Sequence, residues 1–114
     1  MTTLYGIPNC DTVKKARAFL NARGVAHAFH DYKKQGVPAE LDGWLASLGW
    51  ERLLNRQGTT WRKLDPARQA VVHDAASAKA LMLEQPSVIR RPVVVRGAEL
   101  RVGFDAQDWA RWLG

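Results

Sequence analysis

The apolar positions of this chain change period several times. Residues 2–7 (TTLYGI) are short, β-rich and closed by Pro8-Asn9, which predicts a first strand running into the core. From residue 13 onward Val13, Ala16, Phe19 and Leu20 recur at helical spacing, and Gly24 supplies a stop. The pattern predicts an amphipathic helix capped by Asp11 or Thr12 and ending near Arg23. Residues 25–32 (VAHAFHDY) alternate well enough for a second strand. The order strand, helix, strand favours a parallel pair joined by a right-handed crossover.

The middle of the chain reads as helical. Pro38 can open a helix, Leu41, Trp44, Leu45 and Leu48 form its apolar stripe, and Gly49 ends it. Residues 51–54 predict one further turn, residues 56–60 a polar loop, and residues 64–72 a short helix after Asp65-Pro66. Asp74 is placed to cap AASAKALMLEQ, a run of strong helix formers that ends before Pro86. Residues 92–95 (PVVV) look like a buried strand, residues 96–99 like a turn, and residues 100–102 like the returning strand of a hairpin. Asp105 caps a last helix, AQDWARWLG, with Trp109, Trp112 and Leu113 along one side. The sum is an α/β chain whose element order is that of a thioredoxin-like sandwich, with helices expected on both faces of the sheet. It is expected to be one domain over residues 1–114, with a helical insertion at about residues 38–85. Periodicity leaves the strand order open.

Composition narrows the class. The 114 residues are 46% apolar and 25% charged, the profile of a soluble globular domain. No apolar run approaches the ~20 residues that a membrane helix needs, and the first residues lack the layout of a signal peptide. No membrane association is expected, and the expected location is the cytoplasm. The 17 Lys and Arg exceed the 11 Asp and Glu, for a net charge of +6. Such an excess attracts anions of any kind, but the basic residues form no block longer than two, so a solvated basic surface explains them equally well.

Cys10 is the one cysteine, which rules out an internal disulfide framework and a multi-cysteine zinc site. It follows a strand and precedes a helix. A thiolate there feels the free N–H groups and the positive end of the helix dipole, so its pKa should fall and its nucleophilicity at neutral pH should rise. Lys14, with Lys15 beside it, could add positive potential, and Thr12 could offer a hydroxyl to the sulfur. The competing reading is a small, inert, buried hydrophobe. The motif is Cys-Asp-Thr-Val, not Cys-x-x-Cys, so an oxidised Cys10 needs a thiol from outside the chain. Arg91-Pro92, before the valine strand, is a plausible cis bond that would set Arg91 near the end of the sheet. Arg56 and Arg62 flank a Gly-Thr-Thr loop and could bind a carboxylate or oxyanion, or simply be solvated. Trp61 is the one tryptophan suspected of a site role. His27 and His30 are three apart on a predicted strand and point to opposite faces, so they cannot chelate one metal together. No metal site, phosphate-cradling glycine motif or nucleic-acid motif is found.

Five blocks in order, LYGIPNCDTVKKA, RQGTTWRKL, DAASAKALM, IRRPVVV and LRVGFD, resemble the ArsC/Spx family and its YffB-like branch over essentially the whole chain. The resemblance implies a thioredoxin-like fold, with a mixed four-stranded sheet flanked by helices and a helical insertion. It implies a reactive cysteine at Cys10, an arginine before a cis-proline at Arg91-Pro92, and glutathione-linked thiol chemistry without a bound cofactor. Arsenate reductases proper in this family hold the oxyanion with three arginines. Arg91 matches one; the second position falls near Asn55, beside Arg56; the third falls near Gly103-Phe104, where there is no arginine. Each missing charge-assisted contact to an oxyanion is worth about 1.5–3 kcal/mol. The Spx branch binds RNA polymerase and commonly switches through a Cys-x-x-Cys pair, whose second position here is Val13. The resulting expectation is a thiol reductase in which Cys10 attacks a disulfide or oxyanion. Arg91, Pro92 and Arg56 form its substrate side, with Asn9, Thr12 and Lys14 around the cysteine, and glutathione or a glutaredoxin is the partner. The alternatives are a polymerase-binding regulator and an arsenate reductase. A direct nucleic-acid binder is the weakest reading, and a monomer is expected.

Overall fold

Strand β1 (Thr2–Gly6) buries Thr2, Leu4 and Gly6 and leaves Thr3 and Tyr5 half-buried, the alternation of a strand with two different faces. The chain turns through exposed Pro8 and Asn9 into helix α1 (Asp11–Ala22), whose buried stripe is Val13, Ala16 and Leu20. Gly6 permits this turn to be tight, because a Cβ there would lie 2.8 Å from a Val13 methyl. The cap of α1 differs from the expectation. Cys10, in extended conformation, is the N-cap residue, and Asp11 and Thr12 are already helical. The helix stops at Arg23, and Gly24 takes a positive φ of 67°. Strand β2 (His27–Asp31) ends one residue before Tyr32. The Asp31 carboxylate accepts the Lys33 N–H at 2.9 Å, and the chain turns into the short helix α2 (Tyr32–Gln35).

Five helices follow: α3 (Leu41–Leu48), α4 (Trp50–Leu53), α5 (Thr59–Arg62), α6 (Pro66–Ala70) and α7 (Ala75–Glu84). Residues 56–60 were expected to form one loop, but α5 already begins at Thr59, after an extended Gly58. Asp74 and Ser77 close a reciprocal capping box on α7. A 3₁₀ turn at Pro86–Val88 then leads to strands β3 (Val93–Arg96) and β4 (Glu99–Val102) and helix α8 (Ala106–Leu113). Pro92 lies just outside β3, consistent with its missing N–H donor. The Asp105 carboxylate accepts the N–H groups of Gln107 and Asp108 and so caps α8. The structure describes residues 1–113 in a computed structural model, so Gly114, the end of the predicted last helix, lies outside them.

The chain divides into two compact units, one of Met1–Lys34 with the chain from Arg91 onward, the other of Gln35–Arg90. The first holds a four-stranded sheet in the order β2-β1-β3-β4. Its β1 and β2 are parallel, while β3 is antiparallel to both β1 and β4. This is the mixed sheet of a thioredoxin-like fold. Leu4 pairs with Phe29 on one side and Val94 on the other, so all three share a face. Helices α1 and α8 both pack on that face, where Leu4, Val13, Ala16, Leu20, Val94 and Trp109 form the core. Phe19 and Phe104 meet Trp109 edge-on, at 6.2 and 4.8 Å between ring centroids. Tyr5 and His30, paired in register, lie on the opposite face.

The second unit is built on Leu41, Trp44, Leu53, Leu54, Ala78, Leu81, Met82, Val88 and Ile89, all buried. An isolated bridge pairs Leu54 with Ile89. Around it Arg90 N–H donates to the Leu53 carbonyl at 2.7 Å and Asn55 N–H to the Val88 carbonyl at 2.8 Å. No helix among the described residues is long and apolar enough to cross a membrane.

Trp109, 1% exposed, joins α8 to α1 and the sheet. Trp109→Ala is expected to cost about 3–5 kcal/mol, read as a lower midpoint in equilibrium urea unfolding.

Candidate active site

The sheet register brings two distant pieces of chain to one end. Because β1 and β3 are antiparallel, with Tyr5 opposite Val93, the chain leaving β1 toward Cys10 and the chain entering β3 from Arg91 lie at the same edge. The Arg91-Pro92 bond is cis. Pro92 is buried, and its carbonyl accepts the Gly103 N–H at 2.8 Å. Gly103 has a φ of 82°, which only glycine adopts readily. The hairpin thereby holds the residue next to Arg91.

Cys10 is a free, half-buried thiol. Burial alone would push its pKa up. The Val13 N–H, the hydrogen bond and positive charge of Arg91, and the Thr12 N–H together outweigh burial and hold it below the ordinary cysteine value. No conventional side-chain cap closes α1; its first free N–H groups face the sulfur instead. The first turn of α1 and one guanidinium thus prepare a thiolate.

The other residues singled out in the sequence fall in different places. Thr12 acts on the sulfur through its backbone N–H, and its side chain is exposed. Asn9 is exposed in the bend before Cys10. Lys14 donates its backbone N–H to the Cys10 carbonyl at 2.9 Å and extends its side chain into solvent. The charge that lowers the Cys10 pKa is that of Arg91.

Arg56 belongs to the other unit. Its guanidinium lies 5.1 Å from the Trp50 ring centroid and 6.0 Å from that of Trp61. Trp61 also fixes the loop through its carbonyl, which accepts the Gln69 amide at 2.8 Å. Asn55 braces the same segment, since its side-chain oxygen accepts the Gln57 N–H at 3.1 Å. A Cβ at Gly58 would lie 2.8 Å from the Asn55 amide nitrogen, which accounts for glycine there. Of the remaining candidates, His27 bonds the Val25 carbonyl, while His30 packs against Tyr5 and Tyr32. Among the described residues no three His, Cys, Asp or Glu side chains are grouped to hold a metal ion.

Tyr32 was missed from the sequence, where it looked like the last residue of a strand. It is 2% exposed, and its hydroxyl has no hydrogen-bond partner among the described residues. Burial pushes its pKa upward and the nearby Tyr5 adds to this, while the Arg91 charge works against both. The phenol is therefore neutral and within electrostatic reach of Arg91. Its one signal in the sequence was an aromatic residue beside Asp31, at the point where β2 ends.

A model of the ArsC family matches residues 5–112. The solved structure of a protein named YFFB superposes with a TM-score of 0.93 at 49% identity, covering 100% of both chains. An arsenate reductase (ArsC)-related protein from Brucella melitensis is 51% identical, with a TM-score of 0.77 over 98% of this chain and 93% of that one. The global transcriptional regulator Spx of Streptococcus mutans is 28% identical over 116 aligned residues, which cover 95% of this chain and 80% of the regulator.

The low Cys10 pKa has a direct readout. Iodoacetamide alkylation plotted against pH is expected to have its midpoint below that of a free cysteine. Arg91→Gln removes two of the lowering influences, so its midpoint is expected to move up in pH. An unmoved midpoint would show that Arg91 does not act on the sulfur.

Proposed function

This chain belongs to the ArsC family, and we propose that it is a glutathione-dependent thiol reductase with Cys10 as nucleophile. The observation that carries this reading is the Cys10 thiol held below its ordinary pKa by the α1 N–H groups and by Arg91.

The thiolate attacks the glutathione sulfur of a mixed disulfide. The S–S bond breaks, the substrate thiolate departs and takes a proton from solvent, and Cys10 becomes glutathionylated. A second glutathione thiolate then attacks that sulfur, releases oxidised glutathione and restores the Cys10 thiolate. The net reaction is an exchange: one free glutathione thiol is consumed, the substrate leaves as a thiol, and the glutathione portion of the mixed disulfide leaves in oxidised glutathione. No second cysteine exists in the chain to resolve the intermediate, so the external thiol is part of the cycle. Arg91 serves twice, stabilising the thiolate and binding a carboxylate of the incoming glutathione portion. A reducing, cytoplasmic setting suits this cycle.

Arsenate reduction is a less favoured activity of the same site. Arg91 supplies one of the three guanidinium groups the resemblance calls for, but Asn55 and Gly103-Phe104 stand where it calls for further arginines. A regulatory role without catalysis draws on the similarity to Spx. It requires binding to the transcription machinery that survives Cys10→Ser.

In a glutathione-coupled assay with a small mixed disulfide, Cys10→Ser is expected to lower turnover by about 100-fold or more. Arg91→Gln, which removes one charge-assisted contact, is expected to reduce kcat/KM by about 10- to 100-fold. Turnover that persists in Cys10→Ser would overturn the reductase reading.

A further inference from the structure

The Tyr32 hydroxyl is a buried polar group that the fold does not use. It is closed to solvent and makes no hydrogen bond among the described residues. A buried donor left unmade costs about 1–3 kcal/mol, so phenylalanine would serve packing at least as well. The ring itself is well supported, with His30 edge-on at 6.0 Å and His30 in turn 5.0 Å from Tyr5. The Arg91 charge acts on both the Tyr32 hydroxyl and the Cys10 sulfur. The sheet puts the three residues together: β1 runs parallel to β2, with Gly6 opposite Asp31, and antiparallel to β3, with Tyr5 opposite Val93, so the chain at Tyr32, Cys10 and Arg91 lies beyond the same end of the sheet.

We propose that Tyr32 is a ligand-binding residue, whose hydroxyl donates a hydrogen bond to an oxygen of the anionic group that Arg91 holds beside Cys10. This rests on the reading of Cys10 and Arg91 as a thiol-reductase site, and it adds the chemistry of the ligand. A guanidinium already paired with a thiolate has little net charge left for a second anion. A neutral phenol beside it supplies an attractive contact without another charge. Burial keeps that phenol protonated, so it donates at every physiological pH. Because the hydroxyl is closed to solvent, a neighbouring side chain must shift for an oxygen to reach it. The chemistry selected is a carboxylate, as on a thiol peptide, or a small inorganic oxyanion.

The test measures protection of Cys10 from iodoacetamide by sodium acetate and, separately, by sodium sulfate, at constant ionic strength. In the unmodified protein at least one anion is expected to slow alkylation saturably. Stronger protection by acetate assigns a carboxylate, and stronger protection by sulfate an inorganic oxyanion. In Tyr32→Phe the half-protecting concentration is expected to rise about three- to tenfold, the effect of one lost hydrogen bond, with a thermal midpoint no lower than the parent's. Equal protection of the two proteins, or no protection of the parent by either anion, would overturn the proposal. A Tyr32→Phe midpoint clearly below the parent's would do the same, by showing that the hydroxyl serves the fold. As a check independent of the variant, the Tyr32 Cζ resonance of ¹³C-tyrosine-labelled protein should shift with the same midpoint as protection; a static resonance counts against the contact. Failure of the thiolate reading is separate, because it appears as an ordinary pH profile for alkylation with no anion present.

Discussion

The antiparallel pairing of β1 with β3 is the constraint on which the rest depends. Each strand end carries one half of the site. The end of β1 delivers Cys10 to the start of α1, and the start of β3 is preceded by Arg91. A shift of this register by one residue would turn Leu4 and Val94 away from α1 and α8, and the buried core would be lost with the site. Core packing and site assembly are therefore specified by the same hydrogen-bond ladder.

At the sulfur, opposing effects of similar kind are set against one another. Burial raises the thiol pKa, and two backbone N–H groups together with a guanidinium lower it further than burial lifts it. Half-burial suits this balance. Full burial would favour the thiol form, while full exposure would screen Arg91. With one cysteine in the chain, a disulfide formed at Cys10 can be reduced only by a thiol or other reductant from outside it.

Much of this was legible in the sequence, for identifiable reasons. The four strands, α1, α7 and α8 follow hydrophobic period and capping chemistry, both local properties; Asp74 before AASAKALMLE is the clearest case. Cys10 could be placed at a strand-to-helix junction because Pro8-Asn9 and the period change mark it. Three features lie outside what hydrophobic period reports. The end of β2 at Asp31 depends on a side-chain bond to Lys33, not on hydrophobic pattern. The selection of Arg91, among seventeen basic residues, as the charge on Cys10 depends on sheet register. Tyr32 directly follows a strand that carries Phe29 and His30, and only burial and the unmade bond set it apart. The cap of α1 was misjudged because Asp and Thr are better caps than Cys, a preference overridden where the first turn serves a thiolate.

The pairing of Tyr5 with Val93 also bears on how the chain matures. These partners are separated by 88 positions (93 minus 5), so the ladder between them closes a long loop. Closure entropy grows with loop length, and contacts between distant segments are slow to form. During synthesis Cys10 emerges long before Arg91 does. Until the later segment arrives the thiol lacks its guanidinium, and its acidity stays closer to that of an ordinary cysteine. The full set of interactions that lowers the thiol pKa is thus in place only once both segments have met.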